Sequence, residues 1–353
     1  MSELDILKQK TIDELNQLHS LKVEDYTNEK KKYSINALDP HFIDAFNNRV
    51  RPFIYNPQTV KELEDLEIIV DVADLNDDLY FTAVTMLSSH CVARHIPGCF
   101  MVWFVKEKTT GKFIGLLGLS SDFNNLGPRD DEIGWTKKTK FGKLNRLQSV
   151  VQLKTDIPFQ PFGYNAIGGK LIAKLCHSKE VIDKWEKTFK ENKVVLLTTT
   201  SLFGSYCQYS RLPDWKKLKS TSGAQYVKLS KSLIDSWESD YRVESTTSNE
   251  DELIKKISKL SGISLAEFQH GYERGCFFCP LYDNYKDFLC GKIIEDKLIP
   301  NKNRLMTVSD ALNEWKPLAI KRMMNLIKEK RLQATAMFYD SLRTKPISHS
   351  FFN

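Results

Sequence analysis

The chain has 353 residues, of which 41% are hydrophobic and 27% are charged, and its formal net charge at pH 7 is +6. This composition is ordinary for a soluble globular protein, and the length suits one core domain with helical flanks. The sequence contains no run of eighteen apolar residues and no apolar segment at its acidic N-terminus, so we expect neither a membrane span nor a secretory signal. Seven cysteines, mostly in apolar stretches, are typical of reduced thiols in a cytoplasm.

The first part of the chain contains three predicted elements. Residues 3–21 carry apolar side chains at helical spacing and predict a helix, and the charged stretch 28–33 predicts a linker. Residues 66–72 are rich in β-branched side chains and predict a strand. Residues 78–94 predict a buried helix that ends before the proline at position 97.

A β-hairpin is the clearest local pattern. Residues 99–105 and 113–119 are apolar runs that flank a polar turn containing glycine. A long polar loop over 120–131 follows, and residues 147–153 predict the next strand. The stretch 158–165 contains two prolines and predicts another loop.

Two helices, at 166–176 and 178–190, then lead to a strand at 194–200 that has the continuous apolar character of a strand buried on both faces. This order predicts an α/β fold of the α+β type, with a mixed, mostly antiparallel sheet and crossover helices. An acidic, Ser/Thr-rich linker is expected over 235–248, and residues 250–353 are expected to be mainly helical. We therefore expect three parts: an N-terminal helix and linker (1–50), an α/β core (51–230) and a mainly helical C-terminal region (231–353).

A helix start rich in glycine follows the predicted loop. Glycines there let a backbone approach a ligand, and the unpaired N–H groups favour anions such as a pyrophosphate. Close packing of a helix on the sheet explains the same glycines, and both interpretations stay open. The candidate ligand-binding residues are Gln160, Gly163, Asn165, Gly168, Gly169 and Lys170.

Hydroxyl side chains follow the predicted buried strand 194–200. Such groups at the carboxyl end of a central strand can line a ligand crevice, which makes Ser201 a candidate catalytic residue. A polar strand end followed by a tight turn is the alternative.

Two basic clusters lie on either side of these elements. Exposed lysine and arginine side chains displace the counterions around a polyanion, and an aromatic ring beside them can stack on a base. An ordinary solvated surface explains the charges equally well. The first cluster is Lys137, Lys138, Lys140, Lys143 and Arg146, and the second is Arg211, Lys216, Lys217 and Lys219 beside Trp215.

A possible zinc site combines Cys276 and Cys279, which have the CxxC spacing of a zinc knuckle, with His270 and Cys290. Both residues inside the motif are phenylalanine, there is no second CxxC, and buried cysteine behaves as a small apolar residue. The sequence therefore favours core cysteines over bound zinc.

The order of hairpin, strand, glycine loop, helix and strand resembles the GCN5-related acyltransferase superfamily. The resemblance implies an acyltransferase-like core over 51–230, with a coenzyme A thioester held by the glycine loop. Gln160 and Gly163 match the superfamily's loop signature, whereas Asn165 replaces its last small residue. The superfamily often carries a tyrosine acid on a helix that would lie at 208–218 here. Trp215 falls at that position, so Tyr206 and Tyr209 are the candidate catalytic tyrosines.

Several short motifs between residues 95 and 225 resemble the family of the Druantia A protein. They are Ile133-Gly134-Trp135, the strand at 147–153, Gly168-Gly169-Lys170-Leu171, and residues 199–205 followed by Tyr209 and Trp215. That family occurs in an anti-phage defence system and in large phages, and some members are associated with transposon genes.

This resemblance implies a phage- or defence-associated protein in the cytoplasm of a bacterial host. Its acyltransferase-like core would act on nucleic acid or bind it, DNA more than RNA, and protein partners are also compatible with this context. The alternative is a catalytically silent module that binds DNA or protein in phage replication, defence or transposition. The sequence identifies neither a reaction nor a cofactor beyond the coenzyme A thioester that the resemblance implies.

Overall fold

The computed structural model of the protein describes residues 2–36, 40–88, 98–189, 193–204, 207–223, 225–241 and 250–335. The N-terminal helices are α1 (Glu3–Ser20), α2 (Val23–Asn36), α3 (Pro40–Arg49), α4 (Val60–Glu64) and α5 (Asp78–Leu87). The middle helices are α6 (Gly127–Ile133), α7 (Lys137–Phe141), α8 (Phe162–Asn165), α9 (Gly168–Leu175) and α10 (Lys179–Phe189). The last are α11 (Lys231–Tyr241), α12 (Glu250–Ser261), α13 (Tyr285–Leu289) and α14 (Val308–Lys328).

A single seven-stranded sheet organises the described residues, with the strand order β1-β2-β3-β4-β5-β7-β6. Its strands are β1 (Ile68–Val72), β2 (Phe100–Glu107), β3 (Phe113–Ser121), β4 (Val150–Pro158), β5 (Leu196–Ser201), β6 (Lys216–Ser220) and β7 (Gly275–Pro280). All neighbouring strands are antiparallel except β4 and β5. The predicted α/β class and the mixed, mostly antiparallel sheet are therefore confirmed.

The parallel strands β4 and β5 pair only at their beginnings. Their register runs from Val150 opposite Leu196 to Gln152 opposite Thr198, while β4 continues to Pro158 and β5 to Ser201. The helices α8, α9 and α10 make the crossover connection that a parallel pair requires. The two strands therefore diverge toward their carboxyl ends.

Three apolar clusters hold these elements together. The largest joins one face of the sheet to α9, α10 and α14, with Trp185 and Trp315 fully buried in it. A second packs α3 and α5 against β2 and β3 on the opposite face. A third unites α1, α11 and α12 around Trp237 and Phe268. No helix in the described ranges is long and apolar enough to cross a membrane.

Most local predictions are confirmed, namely the first helix, the strand at 66–72, the hairpin, the helices at 166–176 and 178–190, and the strand at 194–200. The helix at 78–94 is described only as far as α5, because residues 89–97 lie outside the described residues. The strand predicted at 147–153 begins at Val150, after the 3-10 turn Arg146–Ser149, and continues to Pro158.

Several predictions are wrong. The linker expected over 235–248 begins inside α11, the loop expected over 120–131 ends inside α6, and the loop expected over 158–165 contains α8. The charged stretch 28–33 lies inside α2, because the buried amine of Lys31 donates to the Thr85 carbonyl of α5 and anchors the helix. Residues 208–218 form turns and then β6 rather than a helix. The region expected to be mainly helical supplies β7, whose residues are almost all buried and lie between β5 and β6.

Because β7 is central, replacing Phe278 should strongly lower the stability of the fold. Phe278 is fully buried and pairs with Thr198 of β5 and Lys216 of β6 in the sheet register. Phe278→Ala should lower the free energy of unfolding by about 3–5 kcal/mol, because the cavity adds to the lost burial. Urea denaturation measures this change in the free energy of unfolding.

The matched control is Met324→Ala on α14, where the methionine is 57% exposed. It should stay within about 0.5 kcal/mol of the parent. Equal losses in the two variants would contradict a central β7.

Candidate functional site

One acidic side chain joins two basic segments. Glu132 of α6 accepts from Lys216 of β6 at 3.0 Å and from Lys286 of α13 at 2.9 Å. These contacts, first Lys286 and then Lys216, lower the pKa of Glu132. Trp135 donates its indole N–H to the Leu289 carbonyl of α13 at 2.9 Å, which packs the same segments together. The second basic cluster therefore lies beside the first.

Two of the basic residues predicted to bind nucleic acid are not accessible. Lys140 is buried, forms an ion pair with Asp130 and lies 5.7 Å from the Trp135 ring centroid. Arg146 stacks on Phe288 at 3.8 Å, and burial lowers its pKa. The two side chains therefore serve packing. The basic surface consists of the exposed residues Lys137, Lys138, Phe141, Lys143, Lys216, Lys217, Lys219 and Lys286.

Trp215 is not the aromatic residue of this surface. It is only 5% exposed, its indole N–H donates to the Ala173 carbonyl at 3.0 Å, and its ring packs 5.1 Å from Tyr209. The prediction that it stacks on a base is therefore not supported. Phe141 is 47% exposed among the lysines and is the residue that sequence reasoning missed. Arg211 is exposed near Lys170, whose pKa its charge helps to lower.

The glycine-rich helix start is closely packed by the protein's own side chains. A Cβ added at Gly168 would come within 2.7 Å of the Phe162 ring, and one at Gly169 would lie 3.0 Å from Gln208. At Gly163 it would lie 2.6 Å from the side-chain amide of Gln160. These distances explain the glycines by close packing.

The other loop residues are also engaged within the chain. Gln160 accepts from the Tyr164 N–H at 3.0 Å, and Asn165 exchanges hydrogen bonds of 2.8 and 3.0 Å with the Gln333 backbone. Lys170 donates to the carbonyls of Gln208 and Ser210, at 3.4 and 2.5 Å. Burial lowers the pKa of the Lys170 amine.

Side chains bridge the gap between the diverging strands. The Thr199 hydroxyl of β5 donates to the Leu153 carbonyl of β4 at 2.9 Å, and the Gln208 amide donates to the Asp156 carbonyl at 3.1 Å. The carboxyl oxygens of Asp156 are buried and have no hydrogen-bond partner among the described residues. Burial raises the pKa of this carboxyl well above its ordinary value, and that of Tyr209 likewise.

The candidate catalytic residues do not form one described group. The Tyr209 ring is buried between Trp215 and Phe277, whereas the Ser201 hydroxyl accepts from the Phe203 N–H at 3.2 Å. Tyr206 lies outside the described residues. Asp156 was missed by sequence reasoning, because a lone acid in an apolar strand carries no recognisable pattern.

The residues of the considered zinc site occupy separate environments. Cys279 lies in the largest apolar cluster, where burial raises its pKa to about 12, and Cys276 belongs to the opposite face beside Asp122. The His270 ring stacks on Tyr272, and the Cys290 thiol donates to the Ile133 carbonyl. Within the described ranges no group of three or more such side chains could hold a metal ion.

A buried ion network lies next to the strand gap. Asp214 accepts from Lys174 of α9 at 2.8 Å, with His177 at 3.7 Å and Arg304 at 3.8 Å. Lys174 also contacts Glu314 of α14 at 2.7 Å. Burial alone would raise the pKa of Asp214, but His177 and Lys174 lower it to about 2.

The two buried aspartates predict opposite effects of removing the charge. The Asp214 carboxylate favours the folded state above its ordinary pKa of 3.8, and this stabilisation is lost as the pH falls toward 2. Asp214→Asn should therefore lower the free energy of unfolding at pH 7, on the order of 2 kcal/mol. Asp156 favours folding only when protonated, so Asp156→Asn should raise stability at pH 7. Urea denaturation at pH 7 tests both, and shifts in the same direction would contradict this assignment.

Comparison with known proteins identifies a family. The Druantia protein DruA family matches residues 10–291. The Druantia protein DruA of Escherichia coli (strain UMEA 4076-1) is 33% identical over 141 residues, which cover 36% of this chain and 31% of that protein. This chain thus aligns with about a third of the length of its curated relative, and no solved structure matches it. Because the family match spans most of the chain, the protein belongs to the Druantia protein DruA family.

Proposed function

We propose that this protein is a DNA-binding component of phage defence of the Druantia type and that it contacts DNA through the basic surface. The observation that carries the proposal is the bridge at Glu132, which unites lysines from β6 and α13 next to α7. The membership of the DruA family supplies the defence context. Because the alignment covers only part of the curated relative, the activity of the whole relative is part of the proposal.

The charges of the basic surface suit contact with a phosphate backbone. Lys137, Lys138 and Lys143 are exposed and form no ion pair within the described part of the chain. Each phosphate that a lysine neutralises releases counterions, which drives binding at low salt without reading sequence. Phe141 adds an exposed ring on which an unpaired base can stack. The lysines of β6 also protect this edge strand from pairing with another chain.

A triple variant tests the surface. Replacing Lys137, Lys138 and Lys143 with alanine should weaken DNA binding and reduce the slope of log K against log salt by about 0.9 for each lost duplex phosphate contact. Fluorescence anisotropy with a labelled duplex, between 50 and 200 mM salt as is usual for such contacts, measures the slope.

The matched control replaces Lys184 and Lys187, two exposed lysines of α10, and should bind as the parent does. Phe141→Ala should weaken binding of a single strand more than binding of a duplex, because only unpaired bases stack on it. A parent protein without salt-dependent affinity for DNA would overturn the proposal.

The second candidate function is an acyltransferase-like activity, which the divergence of β4 and β5 supports. A V-shaped gap between neighbouring strands is what the resemblance to the GCN5-related superfamily requires. The thioester would be held by the glycine-loop candidates, with Ser201, Tyr206 and Tyr209 as candidate catalytic residues. In the described conformation Thr199 and Gln208 bridge the gap, so a bound thioester would have to displace them.

Coenzyme A binding tests this second function. Acetyl-coenzyme A at a hundredfold excess over its Kd should stabilise the folded protein by about 2.7 kcal/mol, measured as a thermal shift. Gln208→Ala removes one bridging side chain and should increase the shift. If neither the folded parent nor the folded Gln208→Ala variant shows a thermal shift with acetyl-coenzyme A, the activity is excluded.

A further inference from the structure

The strand β1 is an open edge of the sheet. It pairs with β2 alone, and the opposite edge of the sheet is β6. Just beyond β1, Ala73 donates its N–H to the Val102 carbonyl of β2 at 2.8 Å. Because bonded and unbonded pairs alternate along an antiparallel ladder, the backbone groups of Ile68, Val70 and Val72 point away from β2. Among the described residues no other backbone group bonds to them.

This edge lacks the features that keep an exposed strand from pairing. Natural edge strands are protected by lysines, prolines or bulges, and β6 carries lysines. β1 contains none of these residues, and its register with β2 is continuous. Its one charged side chain, Asp71, pairs with Lys106 at 2.8 Å. The exposed fraction rises from 8% at Ile68 to 44% at Val72, so a further strand can reach this edge.

A cavity of about 610 Å³ lies along the open edge. Its lining includes Val70 and Val72 of β1 and the side chains of Glu180 and Lys184 on α10. Glu180 also accepts the Val308 N–H at 3.0 Å, which holds α10 in place beside the strand. The acid and the amine lie one helical turn apart. The cavity therefore offers free backbone groups, apolar side chains and one charge of each sign.

We propose that β1 pairs with the β1 of a second copy of this chain, antiparallel about a two-fold axis through Val70. In this register Val70 lies opposite its own counterpart, and Ile68 lies opposite Val72 of the second copy. All three carry outward backbone groups, so each pair exchanges two hydrogen bonds. Asp71 lies opposite Ile69 rather than another Asp71, so no like charges face each other.

Charge complementarity favours a second copy over an unrelated peptide. A two-fold axis reverses the direction of α10, so Glu180 of one copy approaches Lys184 of the other on both sides of the axis. A helix that carries both charges along the cavity is thus complementary to itself. The basic surface includes the lysines of β6 at the opposite edge of the sheet, so each copy keeps this surface free in the dimer.

Sedimentation velocity at increasing protein concentration tests the pairing. The parent should form a dimer in which the amides of Val70 and Val72 exchange slowly with deuterium. Val72→Lys places a charge in the interface and should raise the dissociation constant of the dimer by about tenfold or more. Leu260→Lys on α12 is the matched control, because this leucine is 43% exposed and the added charge is the same. The control should dimerise as the parent does.

A charge exchange on α10 gives a second, independent test. Lys184→Glu sets acids against each other across the axis and should weaken the dimer by about tenfold. Combining it with Glu180→Lys restores opposite charges and should recover the dimer.

A parent that stays monomeric would overturn the proposal. Slow amide exchange at β1 in that monomer would assign the edge to another segment of this chain, and fast exchange would leave it open to a different protein. A dimer that persists unchanged in folded Val72→Lys and Lys184→Glu variants would exclude β1 as its interface.

Discussion

The insertion of β7 between β5 and β6 is the constraint on which the rest of the structure depends. β7 pairs along β5 from Leu196 opposite Pro280 to Ser201 opposite Gly275, and its other edge pairs with β6. Without it β6 would have no partner in the sheet, and the lysines of β6 would not lie beside α6. The same strand fixes Arg274 at the end of β5. Because this pairing joins distant parts of the chain, its loop-closure entropy must be overcome before the basic surface exists.

Basic side chains that stabilise the fold are paired with acids, whereas those of the proposed binding surface include unpaired ones. Lys174 is held between Asp214 and Glu314, Arg129 between Asp122 and Asp130, and each of these groups ties elements of the core together. A buried pair of this kind is costly to break, since the remaining charge loses its partner. Against this background Lys137, Lys138 and Lys143 are different, because they are exposed and form no ion pair within the described part of the chain. A polyanion can therefore neutralise these lysines without breaking a contact of the fold.

Local patterns in the sequence were sufficient for elements whose periodicity is intrinsic. The hairpin of β2 and β3 and the buried strand β5 follow from apolar runs and a turn with glycine. The strand β7 was missed because a short apolar run fits a strand and a buried helix equally well, and only its neighbours decide. The stretch 28–33 was predicted as a linker because its lysines suggest solvent, whereas one of them, Lys31, is buried against α5.

The basic surface and the gap between β4 and β5 differ in how visible they are in a sequence. A polyanion-binding surface depends on the density of charge, so Lys137, Lys138 and Lys143 could be identified from a run of basic residues, although the burial of Lys140 could not. The gap between β4 and β5 depends instead on the positions of a few side chains. Asp156 is isolated in its strand, and only the fold of the chain brings the Gln208 amide to its carbonyl across the gap. The geometry that makes such a site specific is therefore the part that residue order alone does not reveal.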